Sequence, residues 1–449
     1  MTNLIVEVSK YLMILLMAIY TYANFRFFSF PDLERKRKVC ARQNRAMFLL
    51  HFLAYVVMYL KTEDETLRRM LLVFYMGQVV FFLFYIYIYR FIYRNVSRLL
   101  VNNCCMLLAC GFIMLTRLSL DKGLDKAFKQ FVIVAAAAIL SWLVPFIMER
   151  FWQLYKFQWV YAGIGLAALL VVWVAGNESF GAQLSLTVGG ISIQPSEFVK
   201  ISFVFFVASM FYQSLDFKNI CITTVVAALH VVILVLSKDL GSALIFFVSY
   251  VVMLFIATGN WLYLIAAGIL GKGATSIAYA LFDHVRRRFT AWKNPWADID
   301  NTGYQITQSL FAIGSGSWFG MGLLKGNPTA IPYVEADFIF SSICEELGVI
   351  FGIFLILICV SSFLEMMRVA VCIHDRFYQL IVYGIGIMYI FQIFLTIGGG
   401  TKFIPLTGVT LPFISYGGSS VMTTMIMFFI IQGIYIRLQK EGERRGGRK

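Results

Sequence analysis

An all-α fold that crosses a membrane many times is what this sequence predicts, and three observations carry the prediction. The first is composition: 60% of the 449 residues are hydrophobic and 14% are charged, with a mean hydropathy of +0.78, outside the mix of soluble domains. The second is periodicity: apolar stretches of roughly 17–25 residues recur along the chain, each long enough to cross the hydrocarbon as a helix. The third is what is missing from that pattern, the ten-residue alternation of an outer-membrane barrel; an unclosed sheet would leave backbone groups unpaired in lipid. The net charge of +14 lies mainly in short clusters between apolar stretches, so it reads as topology and not as a nucleic-acid footprint. Cys104, Cys105, Cys110, Cys221, Cys344 and Cys359 lie in apolar stretches, with Cys40 and Cys372 in basic loops. That distribution gives neither a disulfide framework nor metal-ligand spacing.

Thirteen transmembrane helices are expected, near 4–25, 46–60, 70–89, 99–117, 130–148, 157–175, 197–213, 219–236, 241–258, 261–281, 338–364, 377–397 and 420–436. The first carries Glu7 and Lys10 and lacks a clear basic leader, so it reads as a retained helix. Arg35, Lys36, Arg37, Lys38, Arg42 and Arg45 form the strongest basic cluster and set that loop on the cytoplasmic side. Alternation from it expects the N-terminus outside and the C-terminus inside. Four polar segments then fall on the outer face: 176–196, 237–240, 282–336 and 398–419.

Chemistry is expected in those segments. Glu197 and Lys200 lie at the start of a helix opened by Pro195, three apart, so they share a face and can pair, which lowers the cost of holding both at membrane depth. A plain helix-start ion pair explains them equally well. Asp239, between two apolar stretches, is placed to cap the following helix, and capping alone explains it. Arg286, Arg287, Arg288 and Lys293 open the long outer segment against the prevailing charge bias. Either long segments escape that rule or these cations hold an anion such as a lipid pyrophosphate. In 303–317 an amphipathic turn presents Gln305, Gln308 and Ser309 on one face, followed by a glycine-rich hinge. Asp337 sits at the outer mouth of the apolar run at 338–364, where it is a helix cap or a partly desolvated carboxylate with its pKa raised toward that of a general base. Segment 405–420 is too rich in Pro and Gly for a continuous helix and is expected as an ordered, broken segment buried in protein or lining a cavity.

Taken together, QPSEFVK at 194–200, KDLGSAL at 238–244, GYQITQS with AIGSGS within 303–317, DFIFSSICEELG at 337–348 and PLTGVTLPFISYGGSS at 405–420 resemble, in order, the motifs of the SEDS family (shape, elongation, division and sporulation) of RodA, FtsW and SpoVE type. The resemblance spans residues 99–437. It implies a ten-helix core at 96–437, preceded by an extension of about three helices at 1–95 and followed by a basic cytoplasmic tail at 438–449. It implies a peptidoglycan glycosyltransferase in the bacterial cytoplasmic membrane that polymerises lipid II on the outer face. Asp337 matches the family's essential outer-loop carboxylate, Arg288 its recurrent basic position, and Glu197 and Lys200 its paired residues. The family's Arg and Trp before QPSEF are replaced here by Gln183, Leu184 and Ser185, and its Asn four residues after Gln392 by Thr396, departures that bear on substrate contacts.

The expected reaction is inverting transfer: a GlcNAc 4-hydroxyl attacks the anomeric carbon of the growing chain's MurNAc and displaces polyprenyl pyrophosphate. Asp337 takes the proton, and the leaving group needs no general acid. Arg286, Arg287 and Arg288, with Lys200 or Lys402, stabilise the departing charge, and Glu197, Asp239, Gln305, Gln308, Ser309, Glu335 and Ser415 complete the substrate contacts. The resemblance also implies a class B penicillin-binding protein as transpeptidase partner, and membrane lipid but no nucleic acid. No cofactor is assigned, and a divalent cation at the pyrophosphate stays open. The rival readings are a lipid II flippase, with Glu197, Lys200 and Asp239 lining its path, and a non-catalytic scaffold for a transpeptidase.

Overall fold

A computed structural model describes residues 2–151, 153–179, 182–188 and 191–446, with backbone alone for 2, 3, 177–179, 182–184, 187, 188, 191 and 442–446. The departures at Gln183 and Leu184 therefore lie outside the described side chains. The first three helices are α1 (Thr2–Ser29), α2 (Leu33–Lys61) and α3 (Glu65–Ile92). Next come α4 (Arg98–Ser119), α5 (Asp125–Arg150) and α6 (Gln158–Ala175). A small antiparallel ribbon follows, β1 (Asn177–Ser179), β2 (Ala182–Val188) and β3 (Ile191–Ile193), paired in that order. The chain continues with α7 (Pro195–Gln213), α8 (Phe217–Leu236), α9 (Leu240–Thr258) and α10 (Leu262–Leu281). Two shorter helices, α11 (Asp283–Lys293) and α12 (Tyr304–Gly316), precede α13 (Ile339–Leu347), α14 (Val349–Cys372), α15 (Arg376–Gly400) and α16 (Gly418–Gly446).

Among the described residues twelve helices are long and apolar enough to cross a membrane, and the apolar half of α2 covers the expected span at 46–60. The basic run before it is helix and not loop, which corrects the sequence expectation. Asp32 caps α2 by accepting from the Glu34 N–H at 3.1 Å, and Lys and Arg are good helix formers, so α2 starts at Leu33 and buries Cys40. α4 lies at the centre of the molecule, buried along nearly its whole length, and α1–α3 cover it. Their joints are buried hydrogen bonds, which hold helices together where lipid offers no hydrophobic contrast. Tyr55 O–H meets Thr116 at 2.8 Å and Gln78 at 2.9 Å, while Tyr20 O–H donates to Asn103, whose amide donates to Ser361 and Ser362 at 3.0 Å.

The single helix expected at 338–364 is two. Gly348 breaks it with φ 92°, a backbone conformation that favours glycine. Four of the backbone groups freed by the break find partners in 317–322: Val349 and Ile350 N–H donate to Ser317 O at 3.0 Å and Trp318 O at 3.2 Å, and Met321 and Gly322 N–H donate to Glu345 O and Glu346 O at 2.9 Å. A Cβ on residue 348 would come within 2.5 Å of Gly320 N and Trp318 O, both backbone atoms that cannot step aside. Gly348→Ala is therefore expected to cost about 3 kcal/mol, read as a lower unfolding midpoint of the purified protein. The N-terminal end of α1 reaches this crossing: Lys325 donates to Glu7 at 2.7 Å, Lys10 to Gly320 O at 3.3 Å, and Glu7 also pairs with Lys10.

Candidate active site

Segment 405–420 organises the site. It enters the protein deeply enough for the Phe413 and Ile414 carbonyls to lie against Gly111 in the middle of α4, and Leu411, Phe413 and Ile414 are sealed. Irregular backbone at that depth must find partners among side chains. Gln392 Nε2 donates to Thr410 O at 2.9 Å, Thr396 Oγ1 to Val409 O at 3.1 Å, and Gln130 Nε2 to Ser415 O at 3.4 Å. Ser415 Oγ accepts from Leu411 N–H at 2.8 Å.

The loop in turn grips the segment that carries Asp337. Ser415 Oγ donates to Ala336 O at 2.5 Å and Tyr416 N–H to Glu335 O at 2.7 Å. The Glu335 carboxylate is paired with Lys126 at the start of α5; burial opposes its ionisation, but that amine holds it below the usual carboxylate range. Phe338, Ile331 and Val334 pack with Ala312 of α12 and fix the other side of the segment.

Asp337 is half-buried, and among the described residues its carboxylate makes no hydrogen bond or ion pair. Burial raises its pKa to about 6, against the pull of Arg288. Arg288 projects from α11 and donates to Thr407 O at 3.1 Å. Burial lowers its pKa, while Asp337 and then Asp239 counter that effect. Between the acid and the cation lies Gly408, at φ 76°. A Cβ there would sit 3.6 Å from Asp337 Oδ2 and 3.7 Å from an Arg288 terminal nitrogen, so the two groups face one small space without closing into an ion pair.

The expected residues divide by which way they face. Successive side chains on a helix point about 100° apart, so of the three arginines only Arg288 turns inward. Arg286 is exposed and holds Asp283 at 3.5 Å and Ala280 O at 3.1 Å, and Arg287 is exposed. That corrects the expectation of a three-arginine cluster. Lys200 and Glu197 are sealed: Lys200 Nζ donates to Glu197 and to Gln392 Oε1, each at 2.8 Å. This pair therefore props Gln392, and through it the Thr410 carbonyl, and Lys200, sealed in that tie, is not open to the anion it was expected to stabilise. Ser309 is sealed too, between Ser341 Oγ at 2.6 Å and Gly400 O at 2.7 Å, a tie between helices in place of the substrate contact expected of it. Gln305 and Gln308 are half-buried on the same helix. Asp239 caps α9 through Ser242 N–H at 3.0 Å and accepts from Ser196 at 3.1 Å and Gln194 at 3.4 Å. Lys402 contributes its carbonyl, which accepts from Trp292 of α11 at 3.2 Å and so locates Arg288.

Sequence reasoning missed Lys126, Gln130, Gln392 and the buried pair Arg117–Glu346, at 2.8 Å. Gln392, Arg117 and Glu346 are polar groups inside apolar runs, a signal that was available. Nothing in the sequence marks Lys126. Among the described residues no group of three or more His, Cys, Asp or Glu is placed to hold a metal ion.

Fold and site together define a polytopic membrane protein with a carboxylate and a cation facing each other beneath a buried, irregular loop. Residues 97–440 match the FtsW, RodA and SpoVE family, described as "Cell cycle protein", and the chain belongs to that family. It is 30% identical over 361 residues to the peptidoglycan glycosyltransferase RodA of Mycobacterium tuberculosis, covering 75% of this chain and 77% of that protein. To the probable peptidoglycan glycosyltransferase FtsW of Escherichia coli O6:H1 it is 33% identical over 361 residues, covering 74% and 85%. Two solved structures show the same fold. One is a peptidoglycan synthase complex described as coordinating polymerization and crosslinking (TM-score 0.64, 24% identity, 76% of this chain and 98% of that one). The other is the rod shape determining protein RodA of Thermus thermophilus (TM-score 0.58, 22% identity, 76% and 96%).

Proposed function

We infer that this chain is a peptidoglycan glycosyltransferase that polymerises lipid II by inverting transfer, with Asp337 as general base. The observation that carries this reading is Asp337 and Arg288 facing one space across Gly408. Asp337 takes the proton of the attacking sugar hydroxyl, and Arg288 draws the pyrophosphate charge as the glycosidic bond to it breaks. The sealed Glu197 and Lys200 speak against a flippase, since a translocation path has to expose the charges that line it. Purified protein given lipid II is expected to yield glycan strands; translocation without polymer would support the flippase, and neither product the scaffold. Running the assay with and without divalent cation decides whether an ion assists the leaving pyrophosphate.

The base is active only when ionised, so kcat/KM is expected to rise with pH and level off above about 6, the value to which burial brings Asp337. Arg288→Gln removes the cation that lowers that value, so in the variant the acid limb moves to higher pH. An unmoved limb would separate Asp337 from the titrating group.

The partner we propose is a class B penicillin-binding protein that cross-links the new strand, a reading supported by family membership. The setting is the bacterial cytoplasmic membrane, with the site on its outer face, the N-terminus outside and the C-terminus inside, a reading supported by the clustering of Lys and Arg. Residues 96–437 form the catalytic core, and 1–95 brace it through α4 and α14.

A further inference from the structure

The end of the molecule opposite the site holds a second arrangement of charge. α4 finishes beside α5, whose Lys126 reaches Glu335 at the site, so the start of α4, the end of α3 and the start of α2 lie at the other end. Between α2 and α3 there is a cavity of about 410 Å³, within the size range of small-ligand sites. Its polar wall is Asn44 and Arg90, and its apolar wall includes Phe48, Leu83, Tyr87 and Phe91.

Among the described residues two atoms of the polar wall are buried without a partner, the Arg90 Nε donor and the Asn44 Oδ1 acceptor. Among the described residues Arg90 is held by one arm, donating to Asn102 Oδ1 at 2.8 Å. Orphaned buried polar atoms cost free energy unless a ligand answers them. Positive charge is in surplus here: Arg98 lies within Coulomb range of both Arg90 and Arg37, and the neighbouring carboxylate, Glu365, is occupied by Arg368 at 2.7 Å and by Ser97 at 2.7 Å. The apolar wall continues outward as a stripe at i, i+4 and i+8 on α3, where Leu83 is 54%, Tyr87 72% and Phe91 75% exposed.

We propose that this cavity binds an anionic phospholipid whose headgroup carries a hydroxyl, such as phosphatidylglycerol. Its phosphate accepts from Arg90 Nε, its hydroxyl donates to Asn44 Oδ1, and an acyl chain lies along Leu83, Tyr87 and Phe91. A basic pocket between transmembrane helices suits such a headgroup. The cavity belongs to the first three helices, outside the residues 97–440 matched by the family.

The test uses the full-length purified protein in zwitterionic detergent. Bound lipid is read by native mass spectrometry and the unfolding midpoint by thermal denaturation, with phosphatidylglycerol, phosphatidylcholine or inorganic phosphate added. Phosphatidylglycerol is expected to bind at a defined ratio and raise the midpoint. Arg90→Gln and the groove-filling Leu83→Trp should each weaken it by about five- to tenfold. Equal affinity for phosphatidylcholine, or unchanged affinity in Leu83→Trp, overturns the proposal. A midpoint shift reproduced by inorganic phosphate alone overturns it too, in favour of a free-anion site. Should Arg90→Gln fail to fold because Asn102 Oδ1 loses its donor, Leu83→Trp decides.

Discussion

Asp337→Asn is expected to lower the rate of glycan-strand formation from lipid II by roughly 10²–10⁴-fold, the range over which a positioned general base contributes, while leaving the unfolding midpoint nearly unchanged. The asymmetry follows from where the carboxylate sits. Asn has the same shape, and among the described residues Asp337 makes no hydrogen bond or ion pair that the substitution would break. Its backbone neighbours stay anchored by Ser415 and Tyr416. Lipid II binding, measured by equilibrium titration, is expected to persist. Polymer formed at the parent rate would remove Asp337 from the chemistry.

Lys200→Ala is expected to destabilise the protein by about 3–5 kcal/mol, because it leaves the sealed Glu197 carboxylate without its cation. Activity should fall with it, since Gln392 loses the donor that orients its amide toward Thr410 O. The double variant Glu197→Leu, Lys200→Met removes both charges and should regain most of the lost stability, as apolar replacement of buried pairs does. Thermal unfolding of the three proteins checks this, and a single variant as stable as the parent would contradict it.

Much of the fold was legible in the sequence because a bilayer imposes so few solutions: long apolar runs must be helices, and the polar segments between them must be where chemistry collects. Less legible was the direction in which each polar group turns. Glu197 and Lys200 announce a pair by their spacing, but nothing in the spacing shows that Gln392, 192 residues further on, closes over them. The three arginines could not be told apart while their segment was read as loop; once it is the helix Asp283–Lys293, the 100° step selects one. The break at Gly348 was hidden for a similar reason. Hydropathy dips there only at Glu345 and Glu346, which does not by itself end a helix; the break comes from a conformation with positive φ, invisible to composition.

Acid and cation reach the reaction space from different helices, yet both are fastened to one ribbon of chain: Ser415 and Tyr416 hold the residues next to Asp337, and Thr407 holds Arg288. Thermal displacement of that ribbon therefore carries the two groups together, so their separation fluctuates less than the position of either. If the two groups act as proposed, an enzyme that must take up a new lipid II for every addition keeps its geometry through the disturbance, because both share a common mount.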